Sequence, residues 1–167
     1  MTDHDARLEY VFGFTHDDLR ANLGERLTDS QIAVLQVQQR NYGLLLIVVC
    51  VVLVLIIVTS YAGMSINLEN CFGAGILILA VLIALIYVGK KFIDYRNDIK
   101  QAVVKRLCGE ITLDITASRY GARYYLALEG RRFRLRSKEQ LLALRDQEVY
   151  CIYYAPNSRY ILSAEAQ

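Results

Sequence analysis

Histidine is nearly absent from this chain. Of 167 residues only His4 and His16 are histidine, and both lie near the start. Neither is close to a cysteine, and Cys50, Cys71, Cys108 and Cys151 form no C-x-x-C pair. A structural zinc site needs four converging Cys or His ligands, usually in closely spaced pairs, so no metal is expected. The same scarcity weighs against nucleophilic catalysis. Ser137, Ser158 and Ser163 have no histidine in their part of the chain, and neither do the cysteines there. Without a base beside it, a hydroxyl is a weak nucleophile. Asp146 and Glu148 fall in a polar turn and read as ordinary surface. No catalytic residue and no cofactor are expected, and the chain is not read as an enzyme.

Charge is the second shortage. Charged residues make up 22% of the chain, and between Asn41 and Gly89 the one charge is Glu69. Hydrophobic residues make up 54%, and they are concentrated in Leu44–Val58 and Phe72–Val88 rather than spread. A helix of about 20 residues spans the roughly 30 Å of bilayer hydrocarbon. Gly43–Ala62 and Cys71–Gly89 have that length. Each central Leu, Ile or Val favours insertion by roughly 0.3 to 0.6 kcal/mol. So short a chain has too little other sequence to bury two such runs, and the first lies too far along to be a cleaved signal. The expected architecture is a two-helix membrane hairpin within residues 29–101, with spans at about 43–62 and 71–89. Neither span has an ionisable residue at its centre, which argues against a proton relay. Gly73-Ala74-Gly75 lies inside the second span and is not a phosphate loop. Gly73, Ala80 and Ala84 offer small residues where the helices could pack closely.

Lysine and arginine are missing from the connecting loop GMSINLEN, residues 63–70. Arg40 precedes the first span, and Lys90, Lys91, Arg96 and Lys100 follow the second. The positive-inside rule puts both termini in the cytoplasm, in a membrane of the bacterial inner type. Cys108 and Cys151 would then face a reducing compartment and stay as thiols.

Before the first span, residues 1–11 are polar and read as loose. Thr15-His16-Asp17-Asp18 has the spacing of a helix start, and Gly24 that of a stop, giving a helix over about 16–23 in a segment of residues 1–28. Thr28-Asp29-Ser30-Gln31 starts a second helix near Asp29 that runs on into the membrane. Phe12 and Phe14 fit either an amphipathic foot at the lipid surface or packing on the C-terminal domain.

After the second span the helical pattern continues to about residue 101 as a stalk, with Asp94 and Asp98 placed as like charges at i,i+4. Residues 102–167 then change period from 3.6 to 2. Ile111/Leu113/Ile115, Tyr124/Leu126/Leu128 and Phe133/Leu135 alternate with polar residues, as strands with one buried face do. Glu129-Gly130-Arg131 marks a tight hairpin. Ser137 caps a short helix, and strands follow at 149–155 and 159–163 around a turn at Pro156-Asn157-Ser158. The order β-β-β-α-β-β resembles that of an OB-like small barrel, which is the favoured fold for this mostly β domain.

Residues 1–42 hold four Arg against seven Asp and Glu, while residues 90–167 hold fifteen Lys and Arg against nine. Within the basic part, Arg132, Arg134 and Arg136 alternate on one strand, with Arg123 and Tyr125 on the strand before and Arg131 and Lys138 alongside. Such a stripe suits anionic lipid head groups or a protein partner, and equally protects an edge strand from aggregation. Nucleic acid is the less favoured ligand. Of twelve tyrosines, seven fall in this domain, where they serve core packing or a binding face. The function expected is a membrane-anchored interaction or scaffold module that contacts lipid and a protein partner or further copies of itself. The alternative is a small subunit of an oligomeric pore or transport complex.

Overall fold

A computed structural model describes residues 3–62, 68–118 and 121–167. The chain divides into two compact units, one made of residues 1–34 and 98–167 and the other of residues 35–97.

The first unit is built on a five-stranded antiparallel sheet. Its strands are β1 (Lys105–Ser118), β2 (Gly121–Leu128), β3 (Arg131–Leu135), β4 (Val149–Tyr154) and β5 (Ile161–Ala166), in the order β3-β2-β1-β4-β5. Strand β1 is the spine. Lys105–Glu110 pairs with β4, and Ile111–Ser118 pairs with β2. Gly109 sits just before this change of partner, where a Cβ would come within 3.1 Å of the Leu128 and Glu129 side chains, so a larger residue there would require those side chains to shift. The sequence expectation began this strand near Ile111. The first half was missed because the positions in step with Ile111 are Lys105, Leu107 and Gly109, and only Leu107 among them is a large apolar residue. β2 and β3 are joined through Glu129 and Gly130, both at positive φ as a two-residue I′ turn requires. Strand β5 starts at Ile161, two residues later than expected, because Arg159 still adopts a positive φ in the preceding turn.

The expected barrel does not close. β3 and β5 are the two ends of the sheet, and no pairing joins them among the described residues. Helices take the place of the missing wall. Helix α1 (Asp3–Phe12) and helix α5 (Lys138–Ala143) cover the face carrying Ile111, Leu126, Leu128, Phe133, Leu135, Tyr150, Ile152 and Tyr154. Leu8, Leu141 and Leu144 complete this cluster, each nearly or fully buried. Residues 3–11, expected to be loose, are therefore helical: the apolar face of the sheet orders Leu8 into a helix that the polar local sequence did not announce. Phe14 is buried in the same core and Phe12 packs against it, so these aromatics serve the domain rather than a lipid foot.

The opposite face of β4 and β5 has its own core of Val104, Cys151, Tyr153, Ala155 and Leu162, packed with Leu19, Leu27 and Tyr160. Helix α2 (His16–Leu23) and the segment after it supply that cover, and Arg26 forms a single bridge with Val103. Every residue of β4 after Val149 is buried. Buried tyrosine hydroxyls find partners: Tyr150 meets His4 Nε2 at 3.0 Å and accepts from the Arg145 backbone N–H at 3.2 Å, and Tyr153 donates to Glu165 at 3.2 Å. Burial raises the pKa of both phenols above the usual value and keeps them protonated.

Two carboxylates organise the connections. Asp98, expected on an exposed stalk, is fully buried, and its oxygens accept from the backbone N–H of Asn157 at 2.9 Å, the Asn157 side-chain amide at 2.8 Å and the backbone N–H of Ser158 at 2.7 Å. The Pro156-Asn157-Ser158 turn wraps the carboxylate, which satisfies a charge that its helix alone would leave exposed. Asp18 unites the two predicted helix starts. It closes the capping box with Thr15, and its other oxygen accepts hydroxyl bonds from Thr28 and from Ser30 at 2.7 Å.

The second unit carries most of helix α3 (Asp29–Ala62) and of helix α4 (Leu68–Gln101), each of 34 residues. Both match the expected starts and ends closely, and α4 begins three residues before the expected Cys71. Residues 63–67 of the expected loop lie outside the described residues. On α3 the less exposed positions recur at Tyr42, Leu46, Val49, Leu53 and Ile56, and on α4 at Ile78, Val81, Leu85, Val88, Phe92 and Tyr95. Alternating steps of three and four mark one seam along each helix. The Tyr42 and Tyr95 rings stack at 5.5 Å, and a Cβ on Gly43 would lie 3.3 Å from the Phe92 ring. Both helices are long and apolar enough to span a membrane, and their apolar windows are 0% and 6% buried. A core helix of a soluble protein would be covered along that length. Ala84 is half-buried and Ala80 is exposed, while the Gly73 side lies outside the described residues.

Asp18 sets a pH dependence. Desolvation raises its pKa, but hydrogen bonds from Thr28, Ser30 and Thr15 together outweigh that and hold it below the ordinary carboxylate value. Its contribution is present above the unfolded-state pKa and is lost as pH falls through the lower folded value. Asp18→Asn removes the charge from these bonds and is expected to cost about 1 to 3 kcal/mol at neutral pH. Thermal melts of full-length wild type and variant in detergent should converge as the pH is lowered through the carboxylate range. Parallel melting curves at every pH would exclude this role.

Candidate functional site

The basic stripe lies on the outer face of β3, the five-residue strand at one end of the sheet. Phe133 and Leu135 point into the core, so Arg132, Arg134 and Arg136 alternate outward and are exposed. The register brings Tyr125 of β2 opposite Arg134, and Ala127 opposite Arg132. Arg123 lies two residues from Tyr125 on the same face and pairs in register with Thr116 of β1. The fold therefore gathers all five predicted residues on one surface.

They are not equivalent there. Arg132 stacks on Tyr125 with its guanidinium carbon 3.8 Å from the ring centroid, forms an ion pair with Asp114, and donates to Thr116 at 3.3 Å. Arg136 stacks on Tyr160 at 4.0 Å. Arg123 and Arg134 make no ion pair with another described residue. A ring under a guanidinium steers its plane, worth about 0.5 to 1 kcal/mol at exposed sites. The arrangement is two held arginines flanked by two uncompensated ones. It can present planar N–H donors to a phosphate or carboxylate.

Arg131 departs from the group. It sits on the core side of β3, where it donates to the hydroxyl of the buried Tyr154 and lies 5.9 Å from that ring's centroid. Alternation along the strand decides this, and adjacency in sequence misleads. Arg131 satisfies a buried phenol rather than a ligand.

Two features were not legible beforehand. A groove of about 270 Å³ between α1, α2 and β5 is lined by Asp5, Glu9, His16 and Glu165, over Phe14 and Leu19. These residues come from opposite ends of the chain, and no local pattern joins them. The second is a disulfide between Cys108 and Cys151, which corrects the expectation that both remain free thiols. The β1–β4 register sets these cysteines directly opposite each other, although 43 residues separate them. Among the described residues, no three His, Cys, Asp or Glu side chains converge as metal ligands would.

No family model, no curated protein and no solved structure matches this chain.

The Arg132–Asp114 pair has both side chains about half exposed, at 51% and 53%. Solvent screening limits an exposed pair to about 0.2 to 1 kcal/mol. Arg132→Ala should thus lower stability by less than about 1 kcal/mol. A double-mutant cycle with Asp114→Ala, read by chemical denaturation, measures the coupling. A coupling of several kcal/mol would show that the pair holds the sheet together and is not a surface feature.

Proposed function

We propose that this chain is a membrane-anchored interaction module whose outer β2–β3 face binds anionic groups, with lipid head groups as the ligand. Helices α3 and α4 are the anchor. Their apolar windows are almost uncovered within the protein. At about 25 cal/mol per Å² of apolar surface, water is a costly environment for them and lipid is not. Residues 1–34 and 98–167 belong to one compact unit, which supports an even number of crossings with both ends on one side. Arg40 at one end of the hairpin and Lys90, Lys91, Arg96 and Lys100 at the other favour the cytoplasmic side.

The observation that carries the binding role is the unequal treatment of the arginines. Protection of an edge strand needs charge, and any charged residues would provide it. Stacking Arg132 on Tyr125 and Arg136 on Tyr160 fixes guanidinium planes, which edge protection does not require. Arg123 and Arg134 keep their charge uncompensated by an ion pair among the described residues. Fixed planes beside uncompensated cations suit bidentate recognition of phosphate. The absence of Asp, Glu, Lys, Arg and His from Leu44–Val58 and Phe72–Val88 weighs against a polar transport path.

The test uses full-length protein in neutral detergent, titrated with short-chain phosphatidylglycerol or short-chain phosphatidylcholine and followed by calorimetry. Anionic lipid should bind more tightly, with affinity falling as salt is raised. Arg123→Ala combined with Arg134→Ala should weaken it about tenfold or more, since a charge-assisted bond contributes about 1.5 kcal/mol or more. Equal affinity for the two lipids, or no loss in the double variant, would remove the binding role and leave edge protection.

A further inference from the structure

The disulfide has two unlike ends. Cys108 is exposed, whereas Cys151 is fully buried in the core on the α2 side of β4. Beside the buried sulfur stands a fixed cation. Arg106, two residues from Cys108 and on the same face of β1, places Nη2 3.2 Å from the Cys151 sulfur. Its guanidinium is held there over the Tyr153 ring at 5.8 Å. The register repeats the arrangement, since Arg106 faces Tyr153 and Cys108 faces Cys151. Two carboxylates also lie on this surface. Glu165 is paired in register with Cys151 but accepts the Tyr153 hydroxyl at 3.2 Å, and Glu110 lies beyond Cys108 opposite Val149. Arg106 is thus the ionised group the structure sets against the buried sulfur.

A disulfide opens by in-line attack of a thiolate on one sulfur, and the other sulfur leaves with the electron pair. Access selects the sulfur attacked, and a stabilised thiolate is the better leaving group. We propose that Cys108–Cys151 is a thiol–disulfide exchange site for a low-molecular-weight thiol, in which Cys108 is attacked from solvent and Cys151 departs as a thiolate stabilised by Arg106. In the first step the incoming thiolate bonds to the Cys108 sulfur, the Cys108–Cys151 bond breaks, and Cys151 takes the electron pair. In the second step another thiolate attacks the sulfur of the attached small thiol. This releases the small-molecule disulfide and leaves Cys108 as a thiolate that takes a proton from water. Two small thiols are oxidised and one protein disulfide is reduced. In reverse, the Cys151 thiolate attacks a Cys108 mixed disulfide and expels the small thiol. Backbone pairing of Lys105–Glu110 with β4 does not depend on the sulfur bond, so the sheet persists in both states.

This inference is independent of the lipid-binding role, and its test uses full-length protein in detergent. Cys50→Ser and Cys71→Ser leave the pair as the remaining cysteines. The oxidised protein is mixed with glutathione, quenched with acid at intervals and mapped by peptide mass spectrometry. The expected first product carries glutathione on Cys108, followed by the dithiol, with the far-ultraviolet circular dichroism unchanged. Arg106→Ala should slow the first step roughly fivefold, with Arg106→Lys retaining much of the rate, because the leaving thiolate loses its cation. Should Arg106→Ala unfold, two further variants decide the matter with oxidised glutathione. Cys151→Ser should form the adduct at Cys108, and Cys108→Ser should remain unmodified. Attachment at Cys151, equal rates for folded wild type and Arg106→Ala, or a pair that millimolar glutathione leaves oxidised would each overturn the assignment.

Discussion

A strand buried on both faces needs cover from two sides, and β4 is such a strand. Tyr150, Ile152 and Tyr154 enter one core, while Cys151 and Tyr153 enter the other. A five-stranded sheet that does not close cannot supply both covers itself. Helices α1 and α5 protect the first side, and α2 with the segment around Leu27 protects the second. Burying two tyrosine bodies with bonded hydroxyls on opposite sides of one strand is a large apolar gain, and it is available only when residues 1–34 return to the C-terminal sheet. Helices α3 and α4 are consequently a long excursion from a single folding unit, whose first part precedes them and whose second part follows.

That constraint also explains where polar groups are placed. Asp18 and Asp98 are both buried, and both stand where chain segments distant from the sheet's centre must be fixed. Each is surrounded by N–H or O–H donors rather than by a cation, so the charge is stabilised by directed hydrogen bonds. Arginine divides in the same way by position. Arg131 serves a buried hydroxyl and Arg106 a buried sulfur, whereas Arg132 and Arg136 lie flat on tyrosines at the surface. Identical side chains on neighbouring residues thus meet different chemistry because a strand alternates its faces.

The parts of this protein that were legible beforehand are those with a strong local signal. The long apolar runs, the two S/T-x-x-D/Q helix starts, the Glu129-Gly130 turn and the Ser137 cap all appear where the sequence puts them. So does the outward alternation of Arg132, Arg134 and Arg136. Helix α1 was not legible, because Leu8 is a lone leucine among polar neighbours and becomes a core residue only once the sheet is present. The first half of β1 was hidden because Lys105 and Gly109 interrupt the apolar series that Leu107 and Ile111 would otherwise make.

Sequence by itself determined the element order from α2 onward, the two helices of membrane-spanning length and the basic character of β3, since these follow from residue periodicity and composition within a few turns or strands. Tertiary structure decided that the sheet stays open, that Asp98 is enclosed, that Cys108 meets Cys151 and that two of the arginines keep an uncompensated charge. Each of those depends on register between segments far apart in the chain, and register is fixed by which faces the packed cores must bury rather than by any local pattern.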